Sequence, residues 1–385
     1  MKKFFAAIAA AALSLSFHLP AAQAQSLPPP TIAAKSWLLK DVTSNQVIAA
    51  ENADLRIEPA SLVKLMTIYL AFDALKDKKL TLDQMITVSE RAWKVDPSSS
   101  KMFIEPRVPV SFGDLLYGVI VQSGNDASVA VAEAVAGTED AFVVLMNREA
   151  QRMGLKDTHF ANAHGLPSPD NYSTARDLAV LATHLIADHP EGYKMYSTKS
   201  FTYNKITQQN RNRLLWLDPS VDGMKTGHTQ AAGYCLIASA KRPNGSGERR
   251  LVSVVLGTNS DQQRAQESQK LLNWGFQNFD TVKLYAKGEP VATPEIWKGT
   301  QSQIKLGFNH DVFVTVPRGT ADKMKPVLER RDPLVAPVAA NSQVGVLKMV
   351  ADGKTLAEFP LLALEQVNQA SIFGRAWDSV RLWLK

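Results

Sequence analysis

The sequence predicts an α+β fold, in which an antiparallel sheet flanked by helices is followed by a small all-β domain and a C-terminal amphipathic helix. Strand-like runs lie at both ends of the segment 35–282, with helical segments between them. This order is typical of a sheet covered by helices. After residue 282, apolar and polar residues alternate as they do in strands. The last 15 residues carry an apolar stripe at helical spacing.

The N-terminus predicts export from the cytoplasm. Lys2 and Lys3 precede an apolar run at residues 4–15, and Ala22-Gln23-Ala24 supplies the small residues that a signal peptidase recognises. We therefore expect a signal peptide at 1–24. The alternative is a membrane anchor that stays attached, but the apolar run is short for a transmembrane span. Residues 25–34 contain three successive prolines and read as an extended leader.

The elements of the predicted first domain, 35–282, follow from hydrophobic periodicity. Strand-like runs at 37–39 and 47–49 flank a turn at 43–45, and an apolar helix follows Pro59 over residues 61–72. Further helices are predicted at 112–121, 127–136, 141–153, 175–187 and 262–279. Strands are predicted around Met224 and at 234–239 and 251–256.

The predicted second domain, 283–366, reads as all-β. Residues 312–316 alternate between apolar and polar, and Asp352-Gly353 between two apolar runs is a strong hairpin signal. This segment carries no cluster of His, Cys or carboxylate residues in its sequence. We interpret it as a spacer or interaction domain.

The tail, 367–385, predicts a helix that lies flat on a membrane. At 100° per residue, the apolar side chains fall within an arc of about 140°, and basic residues lie opposite. The apolar positions are Ile372, Phe373, Ala376, Trp377, Val380, Trp383 and Leu384. Two tryptophans opposite basic residues suit the anionic membrane surface, which we expect residues 371–385 to contact. The alternative is a helix that packs against its own protein.

Composition excludes several classes of protein. The 385 residues are 45% hydrophobic and 21% charged, which is ordinary globular composition. A net charge of +6 without a dense basic block argues against a nucleic-acid partner. The single cysteine, Cys235, excludes an internal disulfide and a Cys-rich zinc site. The histidines lack a metal-binding spacing, so we predict no metal and no cofactor.

The first chemical motif is Ser61-x-x-Lys64. Residues three apart on a helix share a face, so the lysine amine can reach the serine hydroxyl. A serine needs a base to become a nucleophile, and a buried lysine near a second cation loses its proton readily. Ser98 and Lys101 repeat the spacing. They lie in a polar loop, where the lysine would stay solvated and protonated.

Two further motifs complete a set. Ser123-Gly124-Asn125 follows an apolar run, and its serine and amide can point into a cleft. Lys225-Thr226-Gly227 begins a strand, where the lysine supplies a fixed charge and Gly227 lets a substrate backbone approach the strand edge. Each motif alone is weak. Together they occur in the order Ser-x-x-Lys, Ser-x-Asn, Lys-Thr-Gly, at separations of 62 and 102 residues, which indicates a serine acyl-enzyme site.

With these motifs the chain resembles the low-molecular-mass penicillin-binding proteins of the serine D-alanyl-D-alanine carboxypeptidase family, of the penicillin-binding protein five/six type. The resemblance runs from Lys35 to the C-terminus. Its signatures are residues 58–67, 123–127, 163–166, 172–177, 210–216 and 221–229. It implies a serine β-lactamase/transpeptidase-like first domain and a periplasmic enzyme held peripherally on the outer face of the inner membrane.

The resemblance also implies a role for each matching residue. Ser61 would attack the carbonyl between the last two D-alanines of a peptidoglycan stem peptide, and Lys64 would take its proton. Ser123 and Lys225 would pass a proton to the leaving D-alanine, Asn125 would hold the acyl-side amide, and the amides of Ser61 and His228 would form the oxyanion hole. The free carboxylate would meet Thr226, Thr229 and Arg211, with Arg264 as a helper. β-Lactam antibiotics would acylate Ser61.

Rival functions remain open at the level of sequence. A β-lactamase shares the acylation apparatus but needs a glutamate to activate the deacylating water, and no such loop is evident. An endopeptidase that cuts cross-links is a second rival, and a non-enzymatic wall-binding protein is a third. The sequence also leaves open whether the chain forms a homodimer.

Overall fold

The computed structural model describes residues 28–245 and 247–384. The predicted signal peptide at 1–24 lies outside the described residues, as do the first residues of the leader. The N-terminal part contains strands β1 (Ser36–Asp41), β2 (Gln46–Glu51), β3 (Met85–Thr87), β4 (Pro109–Ser111), β5 (Ser200–Tyr203), β6 (Ile206–Gln209), β7 (Val221–Thr229), β8 (Gly233–Asn244) and β9 (Gly247–Thr258). Its helices are α1 (Lys64–Lys76), α2 (Glu90–Trp93), α3 (Phe112–Tyr117), α4 (Asn125–Ala136), α5 (Glu139–Arg152), α6 (Ala175–Asp188), α7 (Pro190–Tyr193), α8 (Leu214–Leu217) and α9 (Asp261–Asn278).

A five-stranded antiparallel sheet forms the centre of this part, in the order β2-β1-β9-β8-β7. Apolar residues point to both of its faces, because successive side chains of a strand alternate. Leu38 packs into the core that contains α1, while Trp37 and Leu39 pack on the opposite side against Leu271 and Leu272 of α9. The sheet is therefore covered by helices on both faces, and the predicted α+β class is confirmed.

Two predicted helices differ from the structure in their local geometry. The helix predicted at 61–72 begins as a 3-10 turn, Ala60–Val63, and becomes α-helical only at Lys64. The helix predicted at 112–121 divides into α3 and a π-helical segment, Gly118–Gln122, which ends at Ser123. π-Helical segments are common at functional sites. Both departures from regular α-helix occur beside a predicted catalytic serine.

The C-terminal part is a second, β-rich unit with its own core. Its strands are β10 (Phe279–Tyr285), β11 (Pro290–Ala292), β12 (Ile296–Trp297), β13 (Leu306–Gly307), β14 (Val312–Pro317), β15 (Lys325–Arg330), β16 (Leu334–Val335), β17 (Gln343–Ala351) and β18 (Lys354–Ala363). The predicted hairpin joins β17 and β18, and both Asp352 and Gly353 have positive φ, as a type I′ turn requires. The expected boundary after residue 282 falls within β10, which pairs with β14.

A buried polar cluster joins the two parts. Asp41, at the end of β1, is fully buried and accepts hydrogen bonds from Arg249 Nε at 2.7 Å and Thr315 Oγ1 at 2.8 Å. The hydroxyl of Thr281 donates to the same carboxylate oxygen. Because these partners come from the central sheet and from the β10–β14 pair, the cluster fixes the two parts against each other.

The chain ends in helix α10 (Ile372–Trp383), which lies on the β-rich unit. The backbone amide of Lys298 donates to Asp378 Oδ2 at 2.6 Å, and the Arg381 guanidinium lies 5.1 Å from the centre of the Trp297 ring. The opposite face carries apolar side chains into solvent, with Phe373 88% exposed and Trp383 85% exposed. None of the helices in the described residues is long and apolar enough to cross a membrane.

Candidate active site

The first motif lies at the junction between the 3-10 turn and α1. Ser61 belongs to the turn and Lys64 is the first residue of α1, and Lys64 Nζ lies 3.0 Å from Ser61 Oγ. The preceding residue, Ala60, has a φ of 49°, which a residue with a side chain seldom adopts. Gly165 allows this conformation, because a Cβ at that position would lie 1.9 Å from the Ala60 carbonyl oxygen. The backbone that presents Ser61 is therefore held in an unusual conformation from both sides.

Lys64 is fully buried and has a depressed pKa. Burial, and after it the positive charge of Arg211, lower the pKa of its amine to about 7, and the carboxylate of Asp126 acts against them. Besides Ser61, the amine contacts Asn125 Oδ1 at 2.7 Å and the backbone carbonyl of His164. A neutral amine has two N–H groups for these two acceptors, and its lone pair is then left for the Ser61 hydroxyl. The site can thus hold a lysine that acts as a base.

The second and third motifs meet directly. Ser123 ends the π-helical segment in the left-handed conformation, with a φ of 65°, and is almost fully buried. Lys225 lies on β7, and its amine donates to Ser123 Oγ at 2.9 Å and to the carbonyl of Thr226 at 3.0 Å. Burial is the main cause that holds the pKa of Lys225 well below its usual value, and the charges of Lys64, Arg211 and Arg264 add to it. A lysine–serine pair of this kind can carry a proton across the cleft.

One cleft of about 690 Å³ connects these residues to solvent. Its lining includes the side chains or backbone of Ser61, Ser123, Asn125, Arg211, Thr226, Gly227, His228, Thr229 and Arg264. Lys64 and Lys225 lie behind this lining and reach it through the two serines. All eleven residues singled out in the sequence therefore lie in or immediately behind a single cleft.

The strand β7 forms one wall of the cleft and is an edge strand of the central sheet. A Cβ on Gly227 would lie 3.2 Å from the Pro59 carbonyl oxygen, so a side chain here would press on the turn that carries Ser61. The His228 ring stacks on Tyr234 at 4.0 Å between ring centres. Thr229 Oγ1 accepts from the amide of Ala232 at 3.0 Å. The free edge of β7 can pair with an extended peptide.

Arg211 and Arg264 line the cleft and contribute positive charge to it. Arg264 donates to the Gly227 carbonyl at 3.0 Å and to the carboxylate of Asp261, so its guanidinium is already engaged by the protein. Arg211 has a pKa lowered by burial and then by the charge of Arg264. Arg211 can therefore offer its charge to a ligand, whereas Arg264 holds β7 through the Gly227 carbonyl.

Sequence reasoning missed three contributors to the site. The carbonyl of His164 binds the Lys64 amine, but a backbone acceptor leaves no residue signature. Glu139 holds the segment around His164, accepting from the amide of Ala163 at 3.1 Å. Asp126 follows the Ser-x-Asn motif, and its carboxylate accepts from the amides of Met102 at 2.8 Å and Phe103 at 2.9 Å. The signatures 163–166 and 123–127 contain His164 and Asp126, but they gave neither residue a role, and Glu139 lies outside all of the signatures.

The second Ser-x-x-Lys sequence, Ser98 to Lys101, does not form a serine–lysine contact like that of Ser61 and Lys64. Ser98 lies at the rim of the cleft, but its hydroxyl donates to Asp96, and the amine of Lys101 donates to the carbonyl of Trp93 at 3.3 Å. No hydrogen bond joins Ser98 to Lys101 within the described chain. Among the described residues there is also no group of three or more His, Cys, Asp or Glu side chains that could hold a metal ion.

Comparison with known proteins finds matches along nearly the whole chain. A family model described as D-alanyl-D-alanine carboxypeptidase matches residues 22–260, and one described as penicillin-binding protein 5, C-terminal domain, matches residues 279–369. The D-alanyl-D-alanine carboxypeptidase DacC of Escherichia coli is 43% identical over 97% of this chain and 95% of its own length. DacA of Haemophilus influenzae is 45% identical over 93% of this chain and 91% of its own.

Solved structures agree with the sequence comparisons. The crystal structure of penicillin binding protein 5 from Haemophilus influenzae superposes with a TM-score of 0.85 at 44% identity, covering 89% of this chain and all of the other. Penicillin-binding protein D2 from Listeria monocytogenes, in its cefotaxime-bound form, superposes with a TM-score of 0.59 at 30% identity. It covers 65% of this chain and 99% of its own.

Proposed function

The chain belongs to the D-alanyl-D-alanine carboxypeptidase family, and we propose that Ser61 is the nucleophile with which it removes the terminal D-alanine from peptidoglycan stem peptides. The chain is a hydrolase of the penicillin-binding protein type, since its relatives of 43% and 45% identity carry that activity in their names over nearly their whole length. The observation that carries the assignment of Ser61 is the 3.0 Å contact between its hydroxyl and the buried, readily neutral amine of Lys64.

Acylation follows from the two lysine–serine pairs. Lys64 takes the proton of Ser61 while Oγ attacks the carbonyl carbon of the penultimate D-alanine, and the amides of Ser61 and His228 stabilise the oxyanion. The C–N bond to the last D-alanine then breaks. The departing amine receives a proton through Ser123, which the Lys225 amine contacts at 2.9 Å. Water hydrolyses the acyl-enzyme and restores the Ser61 hydroxyl.

Substrate recognition uses the edge of β7 and the cationic end of the cleft. The substrate backbone pairs with the free edge of β7 beside Gly227, and Asn125 binds the amide on the acyl side. The terminal carboxylate lies between Arg211 and the hydroxyls of Thr226 and Thr229, a set of donors that suits a carboxylate. β-Lactam antibiotics carry a carboxylate beside their reactive carbonyl, and they acylate Ser61 by the same route.

The anchoring of the enzyme follows from α10. The helix turns Asp378 and Arg381 towards the β-rich unit and leaves Phe373, Trp377 and Trp383 outward. Both arrangements considered from the sequence are therefore combined, because the polar side contacts the protein and the apolar side stays free. An outward aromatic face beside basic residues suits an anionic bilayer. Together with the signal peptide expected at 1–24, it supports the proposal of a peripheral enzyme on the periplasmic side of the inner membrane.

Release of D-alanine from a peptide ending in D-Ala-D-Ala tests the catalytic assignment. Ser61→Ala abolishes both release and covalent penicillin labelling, and Lys64→Met lowers both strongly. Lys101→Met is the matched control, since this lysine repeats the spacing but, among the described residues, donates only to the Trp93 carbonyl. Labelling that persists in Ser61→Ala, or is lost equally in Lys101→Met, would refute the assignment.

Sedimentation with vesicles tests the anchoring. The full chain co-sediments with vesicles that contain anionic phospholipid, and the double variant Phe373→Ser/Trp383→Ser stays in the supernatant. Ser379→Ala, whose hydroxyl bonds only within the helix in the described contacts, is the control and keeps binding. Equal binding by the double variant and the parent would exclude the helix as the anchor.

A further inference from the structure

We propose that Glu139, held by Arg91, is a positioning residue that aims the lone pair of Lys64 at the Ser61 hydroxyl. The proposal rests on the proposed role of Lys64 as the base. It concerns the segment 162–166, whose residues Gly165 and Leu166 line the cleft and whose His164 carbonyl is an acceptor that orients the amine. The chain of contacts runs from a half-exposed arginine to the buried lysine.

The orientation of the Lys64 amine depends on where its two N–H groups go. Asn125 Oδ1 and the His164 carbonyl accept them, and neither acceptor belongs to the nucleophile. If the His164 carbonyl moves away, one N–H of the neutral amine is free to turn towards Ser61 Oγ. The amine would then donate to the hydroxyl whose proton it has to accept. The position of a single backbone carbonyl therefore decides whether the lone pair meets the Ser61 proton.

The imidazole of His164 shows how that carbonyl is fixed. Its Nδ1 accepts from the amide of Leu166 at 3.1 Å, so the hydrogen of the neutral ring is on Nε2. Burial lowers the pKa of His164 to about 3, with the charges of Lys64 and Arg91 acting in the same direction, so the ring stays neutral during turnover. Nε2 lies 3.4 Å from Glu139 Oε1. The ring thus links the turn to the carboxylate at a fixed angle.

Glu139 binds this segment at two points. It is the first residue of α5 and is 5% exposed, and its Oε1 also accepts from the amide of Ala163 at 3.1 Å. The positive end of the helix dipole favours a carboxylate at this position. Its other oxygen, Oε2, accepts from Arg91 Nε at 3.2 Å and Nη2 at 2.9 Å. Arg91 fixes one side of the carboxylate, so the other side can hold Ala163 and His164 in register.

Glu139 acts on geometry and not on the charge of Lys64. Asp126 is the carboxylate that raises the pKa of Lys64, whereas burial and Arg211 lower it. Removing the charge of Glu139 should therefore leave the protonation of Lys64 nearly where it was. A smaller fraction of the neutral Lys64 amines will then point their lone pair at the Ser61 hydroxyl. The acylation rate constant falls, while the pH at which the rate rises stays constant.

Stopped-flow acylation of the full chain by a chromogenic β-lactam, followed over pH 5–9, separates these effects. We expect Glu139→Gln to lower the first-order acylation rate constant by about tenfold or more. The dissociation constant of the non-covalent complex stays unchanged, and so does the rising limb of the pH–rate profile, that is, the pH range in which the acylation rate constant increases. Arg91→Gln gives a smaller loss of the same kind. Its side chain is 54% exposed, so the variant folds even if Glu139→Gln does not.

Glu149→Gln is the matched control, because Glu149 lies near the other end of α5 and also pairs with an arginine, Arg152. It keeps the parental rate constant. An unchanged rate constant in both Glu139→Gln and Arg91→Gln would overturn the proposal, as would an equal loss in Glu149→Gln or a shifted limb. Failure of the proposed function is distinct from this, because the parent chain itself would then show no labelling at Ser61.

Discussion

The pH dependence of acylation is set by the charge around Lys64. Burial and Arg211 lower the pKa of its amine to about 7, and only the neutral amine can accept the Ser61 proton. The neutral fraction is about one half at pH 7, about one tenth at pH 6 and about one hundredth at pH 5. The second-order rate constant of acylation should therefore rise about tenfold per pH unit below pH 7 and level off above it.

Replacing Arg211 tests whether the pKa of Lys64 causes this rise of the acylation rate with pH. A nearby cation disfavours the ammonium form of Lys64, so its removal in Arg211→Gln raises the pKa of Lys64 and moves the limb to higher pH. A displacement of about half a pH unit lowers the rate about threefold at pH 6 through protonation alone. The loss of carboxylate binding lowers the whole curve equally at every pH. The shape of the curve separates the two effects.

The assay is penicillin acylation of the full chain from pH 5 to 9, with substrate far below saturation, because this rate constant reports the free enzyme. Arg213→Gln is the control. Arg213 also lines the cleft, but it is exposed, lies 3.5 Å from Asp261 and is not among the charges that lower the pKa of Lys64. A limb that stays in place or moves to lower pH in Arg211→Gln would refute the reasoning, as would an equal displacement in Arg213→Gln.

Three further predictions use other parts of the structure. Asp126→Asn removes the carboxylate that raises the pKa of Lys64, so the pH range in which the acylation rate rises moves to lower pH, opposite to Arg211→Gln. A shift to higher pH would contradict this prediction. Gly165→Ala places a Cβ 1.9 Å from the Ala60 carbonyl oxygen, so the rate of penicillin acylation falls at least about tenfold. An acylation rate equal to that of the parent would argue against a role for this contact. Asp41→Asn leaves Arg249 buried without its anion and costs about 3–5 kcal/mol in urea unfolding, whereas a cost under about 1 kcal/mol would mean that the pair contributes little.

The parts of the fold that could be predicted from the sequence are those that depend on local residue patterns. The hairpin at Asp352-Gly353 follows from two residues that tolerate positive φ between apolar runs. The helices flanking the central sheet follow from apolar spacing. The three motifs are also local, and each places a side chain at the start of an element or in a turn. Their order along the chain indicates a shared cleft without any knowledge of the distances between them.

What could not be predicted depends on contacts between distant segments. The His164 carbonyl lies 100 residues from the Lys64 amine that it binds, and any residue type could supply it. The use of Asp126 to hold the amides of Met102 and Phe103 requires that loop to fold back onto α4. Arg264 resembled a ligand-binding arginine in the sequence, yet its contacts with Gly227 and Asp261 appear only in three dimensions.

The same cluster of cations activates the serine and selects the substrate. Arg211 helps to lower the pKa of Lys64, Arg264 helps to lower that of Arg211, and all three cations help to lower that of Lys225. This repulsion helps to keep part of the Lys64 amine neutral at pH 7. A terminal carboxylate entering beside Arg211 supplies the missing counter-charge, and it raises the pKa of Lys64 as it binds. The lysine is thus about half neutral in the free enzyme at pH 7. A bound carboxylate makes the neutral amine a stronger base, while it also lowers the fraction of the amine that is neutral. A peptide whose C-terminus is amidated lacks this gain in basicity as well as the direct contact. Above pH 7, where the amine is largely neutral, discrimination against this peptide therefore acts on acylation as well as on binding.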